Sequence, residues 1–225
     1  MEFDFALVLK TALLAIGALL PITNPPGAAP VFMRFTSGLE EPLRVAMARS
    51  VAMNCFFLLV ASAFVGVYVL AYFGISLSVV RVGGGLLVAA TAWRMLTADE
   101  GSDDAQKPAP RRVSPEKIRG HAFYPLAFPL IVGPGSIATA ITIGTTLPRH
   151  DVAAIWAGIG LVLGLAGVAL AIYLANRYAP RLMRLLGDTG TAVFLQLMAF
   201  ILLCIGVQIV WDGVSELLKP WRPGH

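Results

Sequence analysis

The sequence predicts an all-α polytopic membrane protein: six transmembrane helices arranged as two inverted three-helix repeats, with the first and fourth helices discontinuous. Three observations predict it. The 225 residues are 57% hydrophobic and 13% charged, with a mean hydropathy of +0.77, whereas a soluble domain carries about 25% charge. Six windows reach the roughly 20 apolar residues that a bilayer core about 30 Å thick requires. The first and fourth windows each contain a Pro-Gly break, at the same place in the span order.

Taken in order, the first span runs from about residue 5 through its broken segment to about 35, the second covers about 48–72 and the third about 76–96. Three more follow at about 122–147, 152–175 and 191–214, separated by short breaks at 148–151 and 176–190. The leader Met1, Glu2, Phe3, Asp4 has no basic region and no clean small-residue cleavage site follows, so the first span is expected to be retained rather than cleaved as a signal peptide. Cys55 and Cys204 fall inside spans, where a cysteine behaves as a small hydrophobe and carries no redox message.

The net charge of +4 reflects topology rather than nucleic acid, because the basic residues lie almost entirely between spans. Arg34, Arg44 and Arg49 sit between spans one and two; Arg94, Lys107, Arg111, Arg112, Lys117 and Arg119 between three and four; Arg177, Arg181 and Arg184 between five and six. The other side receives Lys10, Arg149, Lys219 and Arg222, so the positive-inside rule puts the first, third and fifth loops in the cytoplasm and both termini outside. The polar stretch 98–120 then reads as a cytoplasmic linker between a first repeat, 1–97, and a second, 121–218, with a short tail at 219–225.

The repeats share a local pattern, PITNPPG at residues 21–27 and PLIVGPG at 129–135; Pro21 and Pro129, Pro26 and Pro134, and Gly27 and Gly135 match at one common offset. An odd number of spans per half makes the second copy enter from the opposite side, as in inverted-repeat secondary transporters. The frequency of Pro and Gly in membrane helices is the rival explanation of the match.

Proline removes an amide donor and clashes with the preceding turn, so Asn24-Pro25-Pro26-Gly27, with Pro30 beyond, is expected to interrupt span one, and Gly133-Pro134-Gly135 span four. Unwound backbone at membrane depth survives only against protein or a water-filled cavity. Each break offers amides for an anion and carbonyls for a cation, a pairing that suits a zwitterion. Thr23 and Asn24 in the first break, and Ser136 and Thr139 after the second, supply side-chain donors and acceptors for a substrate; local helix capping is their alternative use.

No Asp or Glu falls in the middle of a span, so a proton relay of the buried-carboxylate kind is not visible and a multivalent cation is a poorer substrate. Asp4 and Asp212 lie near span ends and Asp188 in a cytoplasmic loop. Arg81, a little over one turn into span three, is expected to snorkel to the outer interface, a substrate-carboxylate partner being the alternative. Gly83-Gly84-Gly85 and Gly158, Gly160, Gly164 and Gly167 read as small faces for helix packing, and Gln196 and Gln208 as interhelical hydrogen bonders. There is no Walker A sequence, zinc-ligand cluster or nucleophile elbow, and His121, His150 and His225 are scattered. An enzyme, a bound metal and a cofactor are therefore not expected.

With NPPGAAPVF in span one, RVGGGLL in span three, PLAFPLIVGPGSIATAI in span four and VQIVWDGV in span six, the chain resembles the MarC family of bacterial membrane proteins over nearly its whole length. The resemblance implies a six-span inner-membrane protein with periplasmic termini. It also implies kinship with SnatA-type transporters of small neutral amino acids such as glycine and alanine, and more distantly with LysE-type exporters. The family's break motifs fall on Asn24, Pro25 and Gly27 and on Gly133, Pro134 and Gly135. Pro26 departs from the pattern, where members often carry an aliphatic residue, and stiffens the break.

The reading is an alternating-access transporter of a small neutral amino acid, export slightly favoured, with its site between the two breaks near the bilayer midplane. Its partners are the small-molecule substrate and the lipid bilayer; a coupling ion, sodium or proton, is unassigned, and so is the oligomeric state. Rival readings are an exporter of a drug or metal ion and a non-transporting membrane scaffold.

Overall fold

The computed structural model describes residues 4–36, 38–97, 122–148 and 152–219. The linker 98–120 and nearly all of the tail 219–225 lie outside the described residues. Seven helices and one irregular segment make up the described chain: α1 (Phe5–Thr23), α2 (Pro25–Phe35), α3 (Glu41–Tyr72), α4 (Leu77–Thr97), a widely wound segment Ala122–Ile131, α5 (Pro134–Thr146), α6 (Val152–Gly187) and α7 (Thr189–Leu218). Among the described residues five helices are long and apolar enough to cross a membrane, and six spans result if the bent pair of Ala122–Ile131 with α5 counts as one.

These segments cross a bilayer because apolar residues point outward as well as inward. Leu19, Leu59, Leu161 and Ile172 are fully buried, while Phe57, Tyr68, Leu163 and Trp211 are each more than half exposed. Such a surface is matched to lipid rather than water. Helix α3, at 32 residues, is about 48 Å long, well beyond a hydrocarbon core of about 30 Å; its first turns, with Glu41, Arg44 and Arg49, therefore extend past the apolar layer.

The bundle closes through small residues. A Cβ at Gly144 would lie 1.9 Å from the Ala63 carbonyl oxygen, joining α5 to α3. At Gly160 it would meet the Val8 carbonyl at 2.5 Å, and at Gly164 the Ala12 carbonyl at 2.7 Å, joining α6 to α1. Gly85 and Gly206 bring α4 and α7 together in the same way, with Val210 alongside. Backbone approach of this kind is how membrane helices associate without a hydrophobic drive between them. Of the glycines read as packing residues, Gly84, Gly85, Gly160, Gly164 and Gly167 serve that role, whereas Gly83 and Gly158 face open space.

Three expectations change. The first break is a single residue: α1 ends and α2 begins at Asn24, which adopts the left-handed conformation (φ 40°, ψ 61°), and α1 alone has the length of a span. Two prolines at the first positions of α2 start a helix instead of unwinding one, since the first turn has no use for their missing amides. The expected polar break at 176–190 is mostly helix: α6 continues through Pro180 to Gly187, where a positive φ of 63° turns the chain into α7. The third is α7 itself, which runs beyond residue 214 to Leu218 and so carries Glu216 as well as Asp212.

Candidate functional site

The two breaks differ in chemistry. At the first, Pro25 and Pro26 have no amide hydrogen, the Gly27 amide donates to Asn24 Oδ1 at 3.1 Å, and the Ala28 amide donates to the Asn24 carbonyl at 3.1 Å. Every donor that a helix start usually leaves over is missing or satisfied. The Thr23 hydroxyl is also turned to backbone, donating to Leu19 O at 2.9 Å in a buried position. In this conformation Asn24 caps α2 through its Oδ1, and the Thr23 hydroxyl is bonded within the last turn of α1. At the second break the Ala122–Ile131 segment and α5 meet at 72°. Gly133, the N-cap, offers no side chain to the Gly135 and Ser136 amides, so this is the break with donors at a positive helix end.

Three cavities take up the residues expected to touch a substrate. One of ≈ 370 Å³ lies against the first break, lined by Asn24, Pro25 and Pro26 with Ala171 and Met198 among its apolar walls. One of ≈ 410 Å³ lies against the second, lined by Gly133, Pro134, Gly135 and Ser136 of the break and by Thr91 and Arg94 of α4. Thr139 belongs to a third, of ≈ 540 Å³. Thr23 and Gly27, both buried, line none of the three.

The third cavity is the polar one. Its walls come from Ala18 and Ile22 of α1, Arg81 of α4, Thr139 and Thr142 of α5, and Ile209, Asp212, Ser215 and Glu216 of α7, with Lys219 beyond. The spacing 209, 212, 216 puts three side chains on one face of α7. Arg81 Nε donates to Thr142 Oγ1 at 3.1 Å, and its guanidinium is ion-paired with Glu216. Asp212 Oδ1 accepts from Gln208 Nε2 at 2.8 Å. Arg81 therefore turns inward to partners on two other helices, in place of the expected snorkelling, because Thr142 and Glu216 satisfy the guanidinium within the bundle. This constellation was missed from sequence because span six was ended at 214; the helical spacing of Asp212 and Glu216 was the signal that could have found it.

A second missed residue is Asn176. It stands inside α6, 1% exposed, and neither its Oδ1 nor its Nδ2 meets a hydrogen-bond partner. Pro180, four residues on, brings no amide hydrogen to the Asn176 carbonyl. Among the described residues, no group of three or more His, Cys, Asp and Glu could hold a metal ion.

A family model described as MarC family integral membrane protein matches residues 9–218. Proteins named UPF0056 inner membrane protein MarC, from Escherichia coli strain SMS-3-5 and strain K12 and from Shigella flexneri, are each 30% identical over 217 residues, covering 93% of this chain and 96% of the relative. No solved structure matches the chain. On the match to the family model and the near-complete coverage of these relatives, the chain belongs to the MarC family of integral membrane proteins.

Proposed function

We propose that the protein is an inner-membrane secondary transporter of small neutral amino acids of the glycine and alanine kind, working by alternating access between two inverted repeats. The observation that carries this reading is the ≈ 540 Å³ cavity in which Arg81 faces Asp212 and Glu216 beside the Thr139 and Thr142 hydroxyls. A small zwitterion needs one group of each sign at short range, and few solutes other than zwitterions do.

In this reading the substrate carboxylate takes the place of Glu216 on the Arg81 guanidinium, a charge-assisted pairing with the planar geometry Arg favours. The substrate ammonium then neutralises the Glu216 carboxylate released, with Asp212 close by on the same helix face. Charge is conserved within the cavity, so exchange of the internal pair for the substrate pair leaves no charge buried alone. The apolar side chains of Ala18, Ile22 and Ile209 limit the side chain that fits. With the termini periplasmic, as the basic residues direct, this cavity opens outward and the one at the second break inward.

The test is uptake of labelled glycine or alanine by proteoliposomes holding the full chain, with and without sodium and proton gradients. Uptake above that of empty liposomes is expected, and it identifies the coupling ion by the gradient it needs. No difference from empty liposomes overturns the amino-acid assignment.

A further inference from the structure

The two larger cavities lie end to end along one pair of helices. α4 and α5 run antiparallel: Arg81 bonds Thr142, Gly84 packs on Ala138, and Gly135 packs on Val88. The charged cavity opens on the Arg81 and Thr139 side of this pair, and the second cavity on the Thr91 and Ser136 side. From Arg81 to Arg94 α4 rises about 20 Å, against a hydrocarbon core of about 30 Å, so the cavities together take up most of the depth of the bundle.

What divides them is specific. The helix backbones touch at Gly84, where an added Cβ would lie 3.2 Å from the Pro134 carbonyl oxygen and 3.3 Å from Gly135 Cα. One residue, Ile22, lines both cavities. It stands on the last turn of α1, two positions before Asn24, whose left-handed backbone joins α1 to α2. A branched apolar side chain at the meeting point of two cavities is a barrier to polar solutes, and its place beside the chain's one-residue joint lets a tilt of α1 against α2 carry it aside.

We propose that Ile22 is the septum of a translocation path that runs between α1, α4, α5 and α7, closed in this conformation against the Gly84–Gly135 contact. The septum separates a station lined by Arg81 from a station lined by Ser136 and Thr91. This inference rests on the reading of the protein as a transporter, but not on which solute it carries.

Cysteine accessibility tests it in right-side-out and inside-out membrane vesicles containing the full chain. The background carries Cys204→Ala and keeps the fully buried Cys55. Thr139→Cys and Thr91→Cys are introduced singly and treated with a membrane-impermeant, charged methanethiosulfonate. Each cysteine is expected to react from one face only, the two faces being opposite. Ile22→Ala is expected to make each reactive from both faces, about tenfold faster or more from the face that was closed, while Ile22→Leu keeps the parent's sidedness. If Ile22→Ala fails to fold, Ile22→Val replaces it, with a smaller gain from the closed face. Reaction of both cysteines from the same face, or sidedness unchanged in the folded small-residue variant, overturns the proposal. Because labelling needs no substrate, sided labelling without glycine or alanine uptake leaves the septum standing and removes only the substrate.

Discussion

Replacing Gly135 by alanine tests the packing that holds the second break in place. An ideal Cβ there lies 2.1 Å from Val88 Cγ2, 3.3 Å from the Gly84 carbonyl oxygen and 3.6 Å from Val88 Cβ. Carbon atoms in contact sit about 3.5–4.0 Å apart, so the methyl groups overlap by about 1.5 Å. Val88 cannot turn away freely, because a valine on a helix holds one χ1 rotamer about 90% of the time. Either α4 and α5 move apart or Val88 leaves its rotamer, and overpacking of this kind costs about 1–3 kcal/mol. For a chain of this length that is a loss of about 2–4 °C in Tm per kcal/mol. Deleting Val88 Cγ2 removes the worst contact and leaves only the tight one to Gly84. The assay is thermal unfolding in detergent of the parent, Gly135→Ala, Val88→Ala and the double variant. The double variant is expected to recover most of the Gly135→Ala loss, a coupling of about 1 kcal/mol or more. Strictly additive single losses would refute the contact.

Two further outcomes follow from the charged cavity and from α6. Glu216→Gln removes the partner of Arg81; since the pair is 22% and 41% exposed in an open cavity, its loss is expected to lower stability by only about 0–1 kcal/mol. Uptake of glycine is expected to fall by about tenfold or more, about 1.4 kcal/mol in binding terms, and unchanged uptake would remove the carboxylate from the substrate path. Asn176→Leu replaces a buried amide without partners by an apolar side chain of similar size. Relief of its desolvation is expected to raise stability by about 1–3 kcal/mol, read as a higher Tm, and a lower Tm would show that the amide is bonded in the working protein.

The spans were legible because lipid selects for what a sequence window measures. Residues 122–147 were read as one broken span and appear as Ala122–Ile131 bent against Pro134–Thr146. The ends of helices were less legible, for a physical reason. Asn176, Arg177 and Arg181 are polar and read as a loop, yet arginine is a good helix former, and a helix can continue into the headgroup region. There Arg177 lies 5.8 Å from the Tyr173 ring and 5.9 Å from the Tyr178 ring, and Arg181 lies 5.4 Å from the Tyr178 ring. The same shortening hid Glu216. Its partner Arg81 is 135 residues away in the chain, and no local pattern announces a contact of that separation.

The breaks teach the opposite lesson, since their sequences match and their chemistry does not. Pro26 aligns with Pro134 and Gly27 with Gly135, which suggests two equivalent half-helix sites. The deciding residues are the ones that differ. Asn24 spends its side-chain oxygen on the Gly27 amide, and Pro25 adds a second residue without a donor. Gly133 stands in the place of Pro25, has no side chain to cap with, and leaves the start of α5 to its cavity. Of the two breaks, the second is therefore the one that offers an anion an uncapped positive helix end, with Arg94 in the wall of the same cavity, while the guanidinium of the charged cavity is that of Arg81. Both groups stand on the α4–α5 pair, one on each side of Ile22. On the proposed path a carboxylate that leaves Arg81 would next meet the start of α5 within the same pair of helices, while the first break, its Gly27 amide capped by Asn24 and its cavity apolar, joins α1 to α2.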